Sequence, residues 1–329
     1  MGARMRERHA ISPRAYVRVA RAALFALAVI VLTGAAVRLT GSGLGCPDWP
    51  KCYGGAIAPL ETHAVIEYGN RILSGLVGLT AVAAFAGAWL RRPFRRDLLW
   101  LSALLPLGVV AQAVLGGFTV RQHLAPGFVM AHFVLAMAIL VAAVALAWRA
   151  DREPGRAGPP ADRLSAWSVR ALVPLGAVTI FAGTAATAAG PHAGGAGTGD
   201  EINRLDFKGA RTLDWAIHQH ATVAFVFGLG AVAAWLVLWR RRADPAARRA
   251  VAVLAALLAA QGAVGTLQYA LELPAEIVWV HVGLAAATWV ALLWAAAAAG
   301  APAPAPAGAA PEPRETDRAD RLVVETASR

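Results

Sequence analysis

Of the histidines in stretches free of Asp, Glu, Lys and Arg, four are candidates for chemistry: His132, His218, His220 and His281. An imidazole in so apolar a setting ordinarily serves a ligand or a proton. Zinc would ask for a compact Cys, His or carboxylate set, and these positions offer none. Inward-facing imidazoles on alternate helices of a four-helix bundle instead suit haem, with iron held from opposite faces. The plainer alternative is that each imidazole makes an interhelical hydrogen bond. Glu67 and Asn70 are three residues apart and share a helix face, with Arg71 next in line. A carboxylate there costs desolvation, which points to a catalytic or proton-handling role or else to a favourable place at a helix start. The chain's two cysteines, Cys46 and Cys52, frame one short loop. On an oxidising side they would form a disulfide contributing about 2 kcal/mol, or act as a redox-active thiol pair.

The elements that position these residues are apolar spans. The chain has 329 residues, 58% hydrophobic and 16% charged, against about 25% charged in soluble domains. Residues 22–37, 72–90, 98–120, 122–148, 171–199, 215–239, 250–271 and 277–299 contain no Asp, Glu, Lys or Arg. Each run has the length that a bilayer core demands, and lipid obliges each to be helical. Interior Pro106 and Gly228 are tolerated in such helices. The expected fold is therefore an all-α integral membrane protein of eight transmembrane helices.

Arginines set the expected orientation. They crowd the N-terminal tail (Arg4, Arg6, Arg8, Arg14, Arg18, Arg21) and the second, fourth and sixth connections. The odd connections are poorer, so both termini are expected to be cytoplasmic. This placement explains the net charge of +11 without nucleic acid. Trp89, Trp100, Trp148, Trp235 and Trp239 fall where an aromatic belt would lie at the cytoplasmic helix ends. The first apolar run continues as a full span, unlike a cleavable signal. The Ala-Pro segment leading to Glu312–Arg329 reads as a disordered cytoplasmic extension.

The two halves repeat. A shift of 149 residues carries Gly34 and Gly41 onto Gly183 and Gly190, Gln112 onto Gln261, and His132 onto His281. Ala111–Gly116 matches Ala260–Gly265. Two tandem four-helix bundles of like orientation follow, related by an axis along the membrane normal. The expected division is a tail over 1–21, an N-terminal bundle over 22–148, a cytoplasmic linker over 149–170, a C-terminal bundle over 171–299 and a tail over 300–329. The histidines all lie early in spans that enter from outside, which puts haem sites towards the outer leaflet.

Together these residues resemble the haem A synthase family of bacteria. The stretch from Arg38 to Cys52 is similar to that family's first outer loop, and Glu67-x-x-x-Arg71 to its second-helix motif. The resemblance covers roughly residues 20–299. It implies oxidation of the haem O methyl group to a formyl group by successive hydroxylations, giving haem A for cytochrome oxidase. It implies a substrate haem site in the N-terminal bundle with His132, Asn70 and Arg71, and Glu67 as the catalytic residue. The iron of haem b would be held in the C-terminal bundle by His281 with His220, or with His218 in its place. Many family members carry His where this chain has Asn70, so the N-terminal bundle is expected to keep one imidazole and an open axial position. Arg38, Arg71 or Arg121 could pair with haem propionates. Expected partners are haem O, the haem O synthase that supplies it, membrane lipid, an electron donor the residues do not identify, and a further copy of the chain. The expected place is a bacterial plasma membrane. A bis-haem electron-transfer cytochrome would share the ligands and need neither Glu67 nor an open site; a duplicated transporter would need polar groups nearer mid-membrane.

Overall fold

The computed structural model describes residues 10–153 and 161–300. Arg4, Arg6, Arg8, Arg156 and the segment 301–329 lie outside the described residues. Within them the fold is carried by helices: α1 (Pro13–Leu39), α2 (Thr62–Leu90), α3 (Arg96–Arg121), α4 (Pro126–Ala150), α5 (Arg163–Arg170), α6 (Leu172–Ala189), α7 (Thr212–Arg240), α8 (Pro245–Ala270) and α9 (Ala275–Ala298). Among the described residues eight helical stretches are long and apolar enough to cross a membrane, with α5 and α6 together forming the fifth.

Local chemistry sets where these helices begin. The Ser12 side chain accepts the Ala15 N–H at 3.3 Å ahead of Pro13, and Asp244 accepts the Ala246 N–H at 2.7 Å ahead of Pro245. Asp162 accepts the Ser165 N–H at 3.0 Å, and that bond holds its carboxyl below the usual carboxylate range. Proline's fixed φ suits the first helical turn, where its missing donor is not needed. As a result α1 starts well before the uncharged run at 22, and α5 turns the end of the expected 149–170 linker into helix. Arg14, Arg18 and Arg21 thus extend α1, where long side chains can reach water from an apolar helix.

In each half the helices close into a ring. In the first, α1 packs on α2, α2 on α3, α3 on α4 and α4 back on α1; in the second, α6 to α9 follow the same order. The rings meet through α1, α4, α6 and α9. Alanines at the helix contacts, among them Ala20, Ala81, Ala143 and Ala231, are fully buried. Small residues let helices approach closely, which matters where lipid removes the hydrophobic drive for association. Two indoles tie the halves: Trp289 Nε1 donates to the Met137 carbonyl at 3.0 Å, and Trp279 Nε1 to that of Leu32 at 2.8 Å.

The two ends differ in character. At the arginine-rich end the fully buried Arg91 pairs with Glu153 and donates to the Pro93 carbonyl. Arg152 lies 3.2 Å over the Trp148 ring, which meets Trp294 edge-on at 5.0 Å. At the opposite end the loop 40–61 of the first half pairs with the loop 190–211 of the second. The Gly43 N–H donates to the Gly194 carbonyl at 2.8 Å and the Gly197 N–H to that of Gly41 at 3.2 Å. Gly41 has φ +69°, and a Cβ there would lie 2.3 Å from the Gly197 nitrogen, so only glycine fits this seam. Arg38 completes it, donating to the carbonyls of His192 at 2.7 Å and Thr187 at 2.9 Å.

Candidate functional site

In the second ring, His220 on α7 faces His281 on α9. Their ring centres are 6.1 Å apart and their planes meet at 78°. Two imidazoles bound to one metal from opposite sides, each with a metal–nitrogen bond of about 2 Å, have ring centres about 6 Å apart. Glycines make room for both rings: a Cβ at Gly183 would lie 3.0 Å from His220 Cε1, and one at Gly265 3.1 Å from His281 Cε1. His220 Nδ1 donates to the Thr179 carbonyl at 3.0 Å, since a carbonyl can only accept. That bond selects the tautomer whose Nε2 lone pair is free for a metal. His218 takes another direction: its Nδ1 bonds the Asp214 carbonyl of its own helix at 2.7 Å, and its ring meets Tyr269 edge-on at 6.4 Å. The fold therefore brings His220 and His281 together and leaves His218 apart.

The first ring has a similar arrangement of helices, with an asparagine on its second helix. His132 on α4 packs on Gly116 of α3, where a Cβ would lie 3.3 Å from Cε1. Across the bundle α2 carries Asn70, whose Oδ1 accepts the Thr33 hydroxyl at 2.8 Å. Gly34, the counterpart of Gly183, has nothing within 4 Å of an added Cβ. Among the described residues no group of three or more His, Cys, Asp or Glu could hold a bare metal ion. Haem brings four nitrogens of its own, so one or two imidazoles suffice, and the paired rings with their glycine cradles fit that group.

Over the first ring sits the loop closed by the Cys46–Cys52 disulfide, with both cysteines buried. Glu67, 6% exposed, accepts the Cys46 N–H at 2.7 Å through Oε2 and pairs with Arg71 at 2.5 Å through Oε1. Arg71 also donates to the carbonyls of Lys51 at 2.8 Å, Asp48 at 3.0 Å and Cys46 at 3.2 Å. Glu67 and Arg71 thus anchor the disulfide loop to α2. Of the three arginines considered for propionates, Arg38 and Arg71 are engaged by backbone carbonyls, while the exposed Arg121 makes one long bond to the Trp49 carbonyl, at 3.4 Å. Sequence reasoning missed Trp49, whose indole would lie 2.8 Å from a Cβ at Gly117, and His63, whose Nδ1 bonds the buried Ser42 hydroxyl at 2.8 Å. The signal for His63 was its place one helical turn before Glu67.

A family model described as cytochrome oxidase assembly protein matches residues 18–293. A protein of Hyphomonas neptunium named Heme A synthase is 30% identical over 81% of this chain and 87% of its own length. One of the same name from Halalkalibacterium halodurans is 32% identical, over 41% of this chain and 46% of its own length. A Protoheme IX farnesyltransferase of Thermus thermophilus is 29% identical over 82% of this chain but 46% of itself. Two of these three matches thus span just under half the length of the relative. The family model covers nearly all of the two helical rings and the loops that join them, and the chain belongs to the cytochrome oxidase assembly protein family.

Proposed function

We propose that the chain is a haem A synthase, an oxidoreductase that converts the methyl group of haem O to the formyl group of haem A. The observation that carries this reading is the 6.1 Å pairing of His220 and His281 beside a first ring in which His132 packs on Gly116 and α2 carries Asn70. Two equal sites would suit a cytochrome that only passes electrons. Two unequal ones suit a division between cofactor and substrate.

His220 and His281 would hold haem b, which supplies one-electron transfer when bound. Haem O is the substrate of the first ring, with His132 as its protein ligand. Conversion of its methyl group to a formyl group is a four-electron oxidation: each of two steps would take one oxygen from water, release two protons and pass two electrons to an external one-electron acceptor, and the resulting geminal diol loses water. Asn70 offers an amide, a weaker ligand for iron than an imidazole, and its Oδ1 already accepts the Thr33 hydroxyl. Both oxygens of Glu67 accept hydrogen bonds from a cation or a backbone N–H. Glu67 is thereby held in place at the mouth of the first ring, where it would manage a proton or a developing positive charge at the substrate edge. The Cys46–Cys52 loop, anchored by Glu67 and Arg71, covers that mouth and limits water there. Arg121, the least engaged of the three arginines, is the one available to a propionate.

By the positive-inside rule the disulfide loop and the imidazoles lie towards the outer face of a bacterial plasma membrane, with the arginine-rich end in the cytoplasm. The match to a named farnesyltransferase supports a supply of haem O from an enzyme of that class. The test is spectroscopic. Purified protein should carry haem with a low-spin component that His220→Ala and His281→Ala each remove. A protein without haem, or both variants with unchanged low-spin spectra, would reject the assignment.

A further inference from the structure

Two half-buried glutamines, each with a buried Oε1, have no part in the site as described. Gln112 on α3 and Gln261 on α8 each stand four residues before the glycine on which an imidazole packs, Gly116 and Gly265. Four residues are about one helical turn, so glutamine and glycine share a helix face. Gln112 Nε2 donates to the His132 backbone carbonyl at 3.0 Å, which puts the amide at the root of that side chain. Its Oε1 is buried without a partner, and so is Nδ1 of His132. The same two atoms are stranded in the other ring, Oε1 of Gln261 and Nδ1 of His281. A buried acceptor and a buried donor left unpaired at corresponding places in both halves is a costly coincidence.

Other orphaned atoms do not repeat in this way. Gln268 Oε1 and Thr288 Oγ1 are also buried without partners, but their counterparts in the first half are Thr119 and Ile139. His220 already has the Thr179 carbonyl for its Nδ1.

We propose that Gln112 and Gln261 are positioning residues for the imidazoles of His132 and His281: when haem is bound, Oε1 of each turns to accept the Nδ1–H that otherwise has no partner. The bond fixes the tautomer that turns Nε2 towards the iron, and it raises the basicity of the ligand, as an acceptor behind a metal-bound histidine does. It gives His132 and His281 the support that Thr179 gives His220. The inference rests on the haem reading and adds to it which residues set the electronic character of each iron.

The experiment is a redox titration of purified full-length protein, followed by optical spectrum, on wild type, Gln261→Leu and Gln261→Glu. Leucine removes the acceptor, so the haem b midpoint potential should move to more positive values with haem content retained. Glutamate is the stronger acceptor and should move it to more negative values. A purely structural glutamine would change haem content or stability without opposite shifts from the two variants. If Gln261→Leu loses its haem, the negative shift of Gln261→Glu still decides. Unchanged potentials in the variants overturn the inference while leaving the haem reading intact. A wild-type protein with no haem overturns both.

Discussion

Replacing Asn70 by histidine tests why the two rings differ. In the second ring His220 packs on Gly183, where a Cβ would come within 3.0 Å of its ring. In the first ring Gly34, one residue after the Thr33 that Asn70 contacts, has nothing within 4 Å of an added Cβ, so there is open space on that helix for a larger side chain at 70. The substitution breaks the 2.8 Å bond between Thr33 and Asn70, at a cost of about 1 kcal/mol. For the doubly ligated form to reach about ten to one, the new metal–imidazole bond must supply about 1.4 kcal/mol beyond that loss. One coordinate bond is ample for this. Wild-type protein loaded with haem in both rings should show a high-spin signal from the first and a low-spin signal from the second by electron paramagnetic resonance. Asn70→His should convert the first to low spin and weaken carbon monoxide binding to the reduced haem at least about tenfold. Two low-spin haems in wild type, or a high-spin signal that survives Asn70→His, would refute the reasoning.

His218→Ala should keep the low-spin spectrum that His220→Ala and His281→Ala lose; the reverse ranking would return the ligand to His218. Glu67→Gln leaves Arg71 and the Cys46 N–H without their anion, so thermal unfolding should report a loss of about 1.5–3 kcal/mol. Haem b should stay bound in that variant while haem A falls on extraction and chromatography. Thiol labelling of native membranes without reductant should leave Cys46 and Cys52 unmodified, and Cys52→Ser should cost about 2 kcal/mol. Gly197→Ala would bring a methyl to 2.1 Å from the His63 ring and should loosen the seam between the two halves, seen as faster proteolysis of the loops 40–61 and 190–211.

The eight spans were legible because a bilayer leaves a helix no alternative, and charge-free runs of that length have few other uses. The pairing of Gln112 with His132 and of Gln261 with His281 was visible as a repeat, but its reason was not. Side-chain packing on Gly116 and Gly265 exists only once α3 and α8 lie against α4 and α9. His218 and His220 could not be separated from the string alone. Two residues apart on a helix point about 200° from one another, and only the placed helix says which direction faces His281. The backbone partners of the arginines were hidden for a different reason. Arg38 and Arg71 are held by backbone carbonyls of loops, and a carbonyl has no letter in the sequence. The early start of α1 was readable in Ser12-Pro13, a capping pair overridden by attention to the charged residues behind it.

The synthase reading is tested most directly by extracting and separating the haems of cells from which the gene has been deleted and then restored. Deletion should abolish haem A and let haem O accumulate, and the restored gene should reverse both. Undiminished haem A in the deleted strain would contradict the reading and leave the chain an electron-transfer cytochrome.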